Sequence, residues 1–156
     1  RAYWVCFGRV PTRAELAKQV GVRRSSGLAK VGAALVASSE FRSRHGALSD
    51  DAFIRWLYRA ALGTTPRSDR LAHWRWQLAL GAHTRGSMLA HFVSVSACTT
   101  RLRREVEAGH LYVGMLARPP SPAALTKRLG QLKAGTPLRT LVAEFFGTRE
   151  YADRVT

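Results

Sequence analysis

The chain has 156 residues and a formal net charge of +15, from 25 Lys and Arg against 10 Asp and Glu. Hydrophobic residues make up 46% and charged residues 22%, which is the balance of a folded domain or short repeat array and not of a disordered chain. No apolar run approaches the roughly 20 residues of a membrane span. No signal peptide is visible, and because Arg1 falls inside a helical pattern the sequence reads as a fragment or processed product. The positive surplus is carried mainly by arginine, 21 against 4 lysines. Such a surplus attracts polyanions, whether nucleic acid, anionic lipid, acidic polysaccharide or acidic protein. Arginine beside abundant Ala, Leu, Gly and Val is equally what a GC-rich genome writes.

Helical periodicity dominates in chain order, and period-two alternation is nearly absent. Ala2–Phe7 reads as a helix tail with Gly8 as its left-handed cap and Pro11 opposing continuation. Thr12 and Glu15 form a capping box that opens a helix to about Val20. Val22–Gly27 reads as a polar turn carrying Arg23 and Arg24, and Leu28–Ala37 as a small-residue helix. Ser38 or Ser39 caps a short basic helix that ends at Gly46. Ser49 caps the next, whose Phe53, Ile54, Leu57, Tyr58, Ala61 and Leu62 share one face before Gly63 stops it. Pro66 restarts the chain into a helix with the stripe Leu71, Trp74 and Leu78, ending at Gly81. Thr84 caps a helix with Met88, Leu89, Phe92 and Val93 inward. Ser96 starts another that carries Arg101, Arg103 and Arg104 towards Gly109. Leu111, Tyr112, Met115 and Leu116 then form a stripe that Pro119 and Pro120 break. Ser121-Pro122 and Thr136-Pro137 start two more helices, the second with Leu141, Val142, Phe145 and Phe146 as its apolar face, and Thr148 opens the last.

Three stretches of this pattern align. Tyr3, Tyr58 and Tyr112 coincide, as do Phe7, Leu62 and Leu116; Gly8, Gly63 and Ala117; Pro11, Pro66 and Pro120; and Leu16, Leu71 and Leu125. Phe41, Cys98 and Tyr151 fall in one shared slot. The expected architecture is therefore all-α, about three stacked units of short helices, with units at residues 1–46 (incomplete at its start), 47–109 and 110–156.

The run Leu57-Tyr-Arg-Ala-Ala-Leu-Gly63, then Pro66, Leu71-Ala-His-Trp74, Leu78, Gly81 and Phe92-Val-Ser94, resembles the bacterial family called domain of unknown function 4214. Gly8-Arg9, Ser39-Glu40-Phe41, Leu132, Gly135, Glu150 and Tyr151 carry the resemblance into the flanking units. The family's Asp-x-x-Gly after the proline is missing here, because Arg70 and Leu71 follow Asp69 directly. The resemblance implies a helical, phycobilisome-linker-like repeat, found in large bacterial secreted or surface proteins, and it supplies no catalytic residues to carry over.

No catalytic motif, phosphate loop or dinucleotide fingerprint is present. His73, His83 and His91 are spaced across helix breaks and read as ordinary histidines, so no metal and no cofactor is expected. Cys6 and Cys98 fit no metal spacing and read as buried free thiols, with one bridge between them left open. Trp74 sits on the core stripe, whereas Trp76, beside Arg75, lies about 200° round the helix and tends to the opposite face. Arg42 and Arg44 follow the Phe41 slot, and Arg101, Arg103 and Arg104 follow the Cys98 slot; with Arg23 and Arg24 they could form a ridge or a plain solvated face. Arg23, Arg24, Arg42, Arg44, Arg75, Trp76, Arg101, Arg103 and Arg104 are the candidate partner-binding residues. The expectation is a non-enzymatic structural or interaction module of a larger secreted or surface-associated assembly. It docks to an acidic protein or polysaccharide through arginine, with charge-driven nucleic-acid binding as the alternative.

Overall fold

The structure is a computed structural model describing residues 1–155, and these residues are α-helical with no strand among them. They fall into two compact units: one holds Arg1–Arg9 and Lys18–Arg101, the other Val10–Ala17 and the chain from Leu102 on.

In the first unit α1 (Ala2–Phe7) closes at Gly8, whose φ of 62° turns its N–H onto the Trp4 carbonyl. α2 (Arg13–Val36) has its first residues in the second unit and the rest, from Lys18, in the first. It begins on the expected capping box, with the Thr12 amide donating to Glu15 Oε2 at 2.7 Å and the Glu15 amide to Thr12 Oγ1 at 3.2 Å. The break expected over Val22–Gly27 is present but narrower, confined to a kink at Gly27. The helix continues through Arg23 and Arg24 and is interrupted only at Gly27, with φ 78° and ψ 174°. Residues 13–26 and 28–36 are thus two helical segments joined across Gly27, whose positive φ a glycine adopts without steric cost. α3 (Ser39–His45) is capped by Ser38, which accepts from the Phe41 amide, and α4 (Asp50–Leu57) by Ser49, which accepts from the Ala52 amide. α4 widens into a π-helical turn, π1 (Tyr58–Leu62), before Gly63. α5 (Ser68–Ala79) follows Pro66, and α6 (Arg85–Ser94) opens on a second capping box, between Thr84 and Ser87. α7 (Ser96–Arg101) completes the unit.

In the second unit α8 (Arg103–His110) runs without a stop into π2 (Leu111–Met115), followed by α9 (Pro122–Lys133), α10 (Leu138–Phe146) and α11 (Arg149–Val155). The single helix expected from Ser96 to Gly109 is therefore divided at Leu102, and Gly109 does not end it. Gly109 is buried inside the helix, where an added Cβ would stand 3.1 Å from Val10 Cγ2. It is a point of close approach, not a cap.

The three tyrosines hold equivalent places. Each stands five residues ahead of a left-handed residue: Gly8 at φ 62°, Gly63 at 72° and Ala117 at 57°. Ala117 is the one non-glycine with positive φ among the described residues. The predicted apolar faces turn inward: Phe53, Ile54, Leu57, Met88 and Leu89 are fully buried in the first unit, and Ala108, Tyr112, Leu132, Leu141 and Phe145 cluster in the second. Phe146 departs from the expected face of α10 and is 57% exposed.

Within the first unit α2 and α6 cross with almost no space. A Cβ at Gly32 would overlap the Gly86 carbonyl, and a Cβ at Gly86 would overlap the backbone of Ala33. Gly86→Ala is expected to lower stability by about 2–3 kcal/mol in urea unfolding, because backbone and not a flexible side chain must yield. Ala117→Gly acts in the opposite direction and raises stability by up to about 1 kcal/mol, since only alanine's Cβ is penalised in that conformation. Equal and small effects from both would contradict this geometry.

Candidate functional site

The arginines divide by what their positions in the repeat oblige them to do. Directly after the left-handed residue, Arg9 and Arg118 each reach a glutamate near the start of the repeat's last helix. Arg9 donates to Glu40 from Nε at 2.9 Å and from Nη2 at 2.7 Å. Arg118 does the same to Glu150, with Nη2 at 2.7 Å and Nε closer still. Each guanidinium also lies over its own repeat's tyrosine, Arg9 at 5.4 Å from the Tyr3 ring and Arg118 at 5.7 Å from Tyr112. A bidentate pair with a cation–π contact fixes both the break and the helix across from it. In the middle repeat these positions are Thr64 and Ala97, so the pair is lost.

A second set of basic residues closes the tyrosine helix from the other side. Helix ends leave carbonyls without intrahelical donors. Arg101 donates to the Ala60 carbonyl at 2.8 Å, and Arg154, at the same distance past the shared slot, donates to the Gly114 carbonyl at 2.9 Å and to that of Met115. In the first repeat His45 Nε2 lies 2.8 Å from the Cys6 carbonyl, while Arg44 donates to Glu40 at 3.2 Å.

The candidate residues sort accordingly. Arg44 and Arg101 are tied to the scaffold, and Arg42 donates to the Ala37 carbonyl at 3.0 Å. Arg75 faces Asp51 at 3.9 Å and Arg103 faces Glu107 at 3.8 Å. Arg23 and Arg24 on α2 and Arg104 on α8 are exposed and meet no carboxylate among the described residues. Trp76 is 57% exposed on α5. Trp74 is buried and donates from Nε1 to the Tyr58 hydroxyl at 3.2 Å. His73, His83 and His91 ring this indole with centroids at 5.3, 5.4 and 5.3 Å, so they surround Trp74 and share no ion site. No group of three or more His, Cys, Asp or Glu suited to a metal occurs among the described residues, and no helix among them is long and apolar enough to cross a membrane. Cys6 and Cys98 are both free and buried, and burial pushes the Cys6 thiol up to about 12.

Two further arginines escaped the reading by motif. Arg55 and Arg59 lie one helical turn apart on α4 and π1, on either side of Trp56, and with Leu48, Ala52 and Ala60 they line a depression of about 550 Å³. Trp56 is held edge-on against Phe41 at 4.9 Å and beside His45 at 5.0 Å, which gives the depression a fixed aromatic wall. Neither guanidinium meets a carboxylate among the described residues, since Asp51, one turn earlier, faces Arg75. Like charges at i and i+4 repel by a few tenths of a kcal/mol in an exposed helix. The signal available in the sequence was that spacing combined with the absence of an acid one turn further on.

The Arg9 hydrogen bonds, aided by Arg44, hold the Glu40 carboxyl below its usual range, and the Arg118 hydrogen bonds do the same for Glu150. A carboxyl whose folded value is depressed contributes stability above its unfolded value, about 4.3 for glutamate. That contribution disappears as pH falls through the lower folded value. Glu40→Gln is therefore expected to destabilise the protein at neutral pH and to flatten the loss of stability below about pH 4.5. A denaturation series against pH with the same acid limb in parent and variant would count against the Arg9–Glu40 pair.

Residues 32–101 match the model of the family described as Domain of unknown function (DUF4214). The matched segment lies inside the first compact unit and ends with it at Arg101. No curated protein and no solved structure matches the chain.

Proposed function

Starting from residues 32–101 as a member of the domain of unknown function 4214 family, we propose that the protein is a non-enzymatic interaction module of a larger assembly that docks to an acidic partner, protein or polysaccharide, through exposed arginine. The observation that carries this reading is the Arg55–Trp56–Arg59 depression, where two guanidiniums without a carboxylate flank a fixed indole. Elsewhere the chain's own acids are largely engaged, as at Glu40, Asp50, Glu107, Glu144 and Glu150. The arginines left over therefore have to find their counter-charge outside the described residues or in salt. Guanidiniums favour planar, bidentate carboxylate and sulfate groups, and a neighbouring indole adds an apolar contact for a side chain or sugar ring. The compartment, secreted or cell surface, rests on the family resemblance alone.

The test is binding of fluorescent poly-glutamate, heparin and duplex DNA by the same preparation at about 150 mM salt, where the screening length falls to about 8 Å. Replacing Arg55 and Arg59 together by glutamine is expected to weaken poly-glutamate or heparin binding about tenfold or more, as two charge-assisted hydrogen bonds are lost. Duplex binding that persists at that salt, falls steeply as salt rises and outlasts acidic-ligand binding would establish the charge-driven nucleic-acid reading in its place.

A further inference from the structure

In the first unit, like elements of two successive repeats close on each other. The tyrosine helix of the first repeat, α1, packs against that of the second, π1, and against α6. Arg1 donates to Thr99 on α7 at 3.0 Å, and α2 crosses α6 at Gly32 and Gly86. Beneath these contacts Ala61, Leu89, Val93 and Cys98 are at most 4% exposed.

The second unit carries the same face, and among the described residues nothing lies on it. Counted from Tyr112 and from the Tyr151 slot, the counterparts of Ala61, Leu89, Val93 and Cys98 are Met115, Val142, Phe146 and Tyr151. The helix starts agree, because the N-caps Thr84 and Pro137 each stand fourteen residues before the slot. These counterparts, with Leu138 and Val155, line an open groove of about 560 Å³. Phe146, Leu138 and Val155 are 57%, 39% and 62% exposed. Contiguous exposed apolar surface of this kind marks an interaction site.

We infer that this groove is the interface between two copies of the chain, the second unit of each presenting it to that of the other. The first two repeats already pair by setting like elements on like elements, and a two-fold interface between copies reproduces that arrangement with one patch serving both sides. The fit differs in one respect. The positions of Gly32 and Gly86 are taken by Val142 and Arg139, so the paired α10 helices stand further apart and Phe146 and Leu138 fill the space between them. Formation of this dimer depends on chain concentration. The pairing does not rest on the arginine-mediated docking, and it uses neither Arg55 nor Arg59.

Sedimentation velocity of the 156-residue chain from about 1 to about 300 µM, the range in which small interfaces associate, reads the outcome. The parent chain is expected to move from monomer to dimer across this range. Phe146→Asp, at an exposed position, keeps the helical content, the unfolding midpoint and acidic-ligand binding of the parent but stays monomeric. Leu138→Glu does the same, and Trp76→Asp, on the exposed tryptophan of the first unit, dimerises as the parent does. A parent that is monomeric throughout, a dimer that survives Phe146→Asp and Leu138→Glu, or one abolished by Trp76→Asp overturns the proposal.

Discussion

A helix end leaves the carbonyl oxygens of its last turn without intrahelical amides. After the first two tyrosine helices the left-handed Gly8 and Gly63 return their own amides to one of them, and in each repeat a side chain from the last helix reaches another. In two of the three repeats that turn is also widened into a π-helix. Arg101 and Arg154 supply donors from the repeat's last helix, and in the first repeat His45 stands at the Cys6 carbonyl, the counterpart of the Met115 carbonyl that Arg154 also reaches. The next residue along the chain, Arg9 or Arg118, then ties the break to a glutamate on that last helix. The left-handed break at Gly8 and Ala117 is thus followed by a side chain that contacts a helix about thirty residues further on.

This use of arginine changes the meaning of the net charge. Part of the surplus is structural, since a guanidinium offers several donors to carbonyls and carboxylates at once. Arg44, Arg101 and Arg154 each donate to a group of the scaffold. The arginines that remain without a carboxylate, among them Arg23, Arg24, Arg55, Arg59 and Arg104, are spread over several helices. Of these, Arg55 and Arg59 line a concave surface beside a fixed aromatic. The same sorting separates the tryptophans. Trp74 and Trp56 are packed into aromatic clusters, whereas Trp76 faces solvent.

Tertiary packing also decided which glycines matter for which reason. Gly8, Gly63 and Gly135 were readable as left-handed stops because each follows a periodic apolar stripe. Gly109 looks the same in a one-dimensional pattern, yet it lies inside a helix against Val10. Gly32 and Gly86 carry no local signal at all; their role exists only where two helices cross. Of the polar turn expected at Val22–Gly27 only Gly27 leaves the helical conformation, because the preceding Arg and Ser residues can all be accommodated in a helix.

The sequence by itself determined the helical class, the capping of α2, α3, α4 and α9, and the recurrence of the tyrosine, the break and the slot. These follow from local propensity, hydrogen bonding within a turn and periodic burial, all of which are written within a few residues of each other. It also carried the family resemblance through Leu57–Gly81, which the match over residues 32–101 includes. Only the tertiary structure decided which arginines the fold consumes and which it leaves exposed, that Arg55, Trp56 and Arg59 share a depression, and that the face of α10 bearing Phe146 stays open. Those outcomes depend on which carbonyl or carboxylate a side chain meets from a distant part of the chain, and periodicity along one helix contains no information about that.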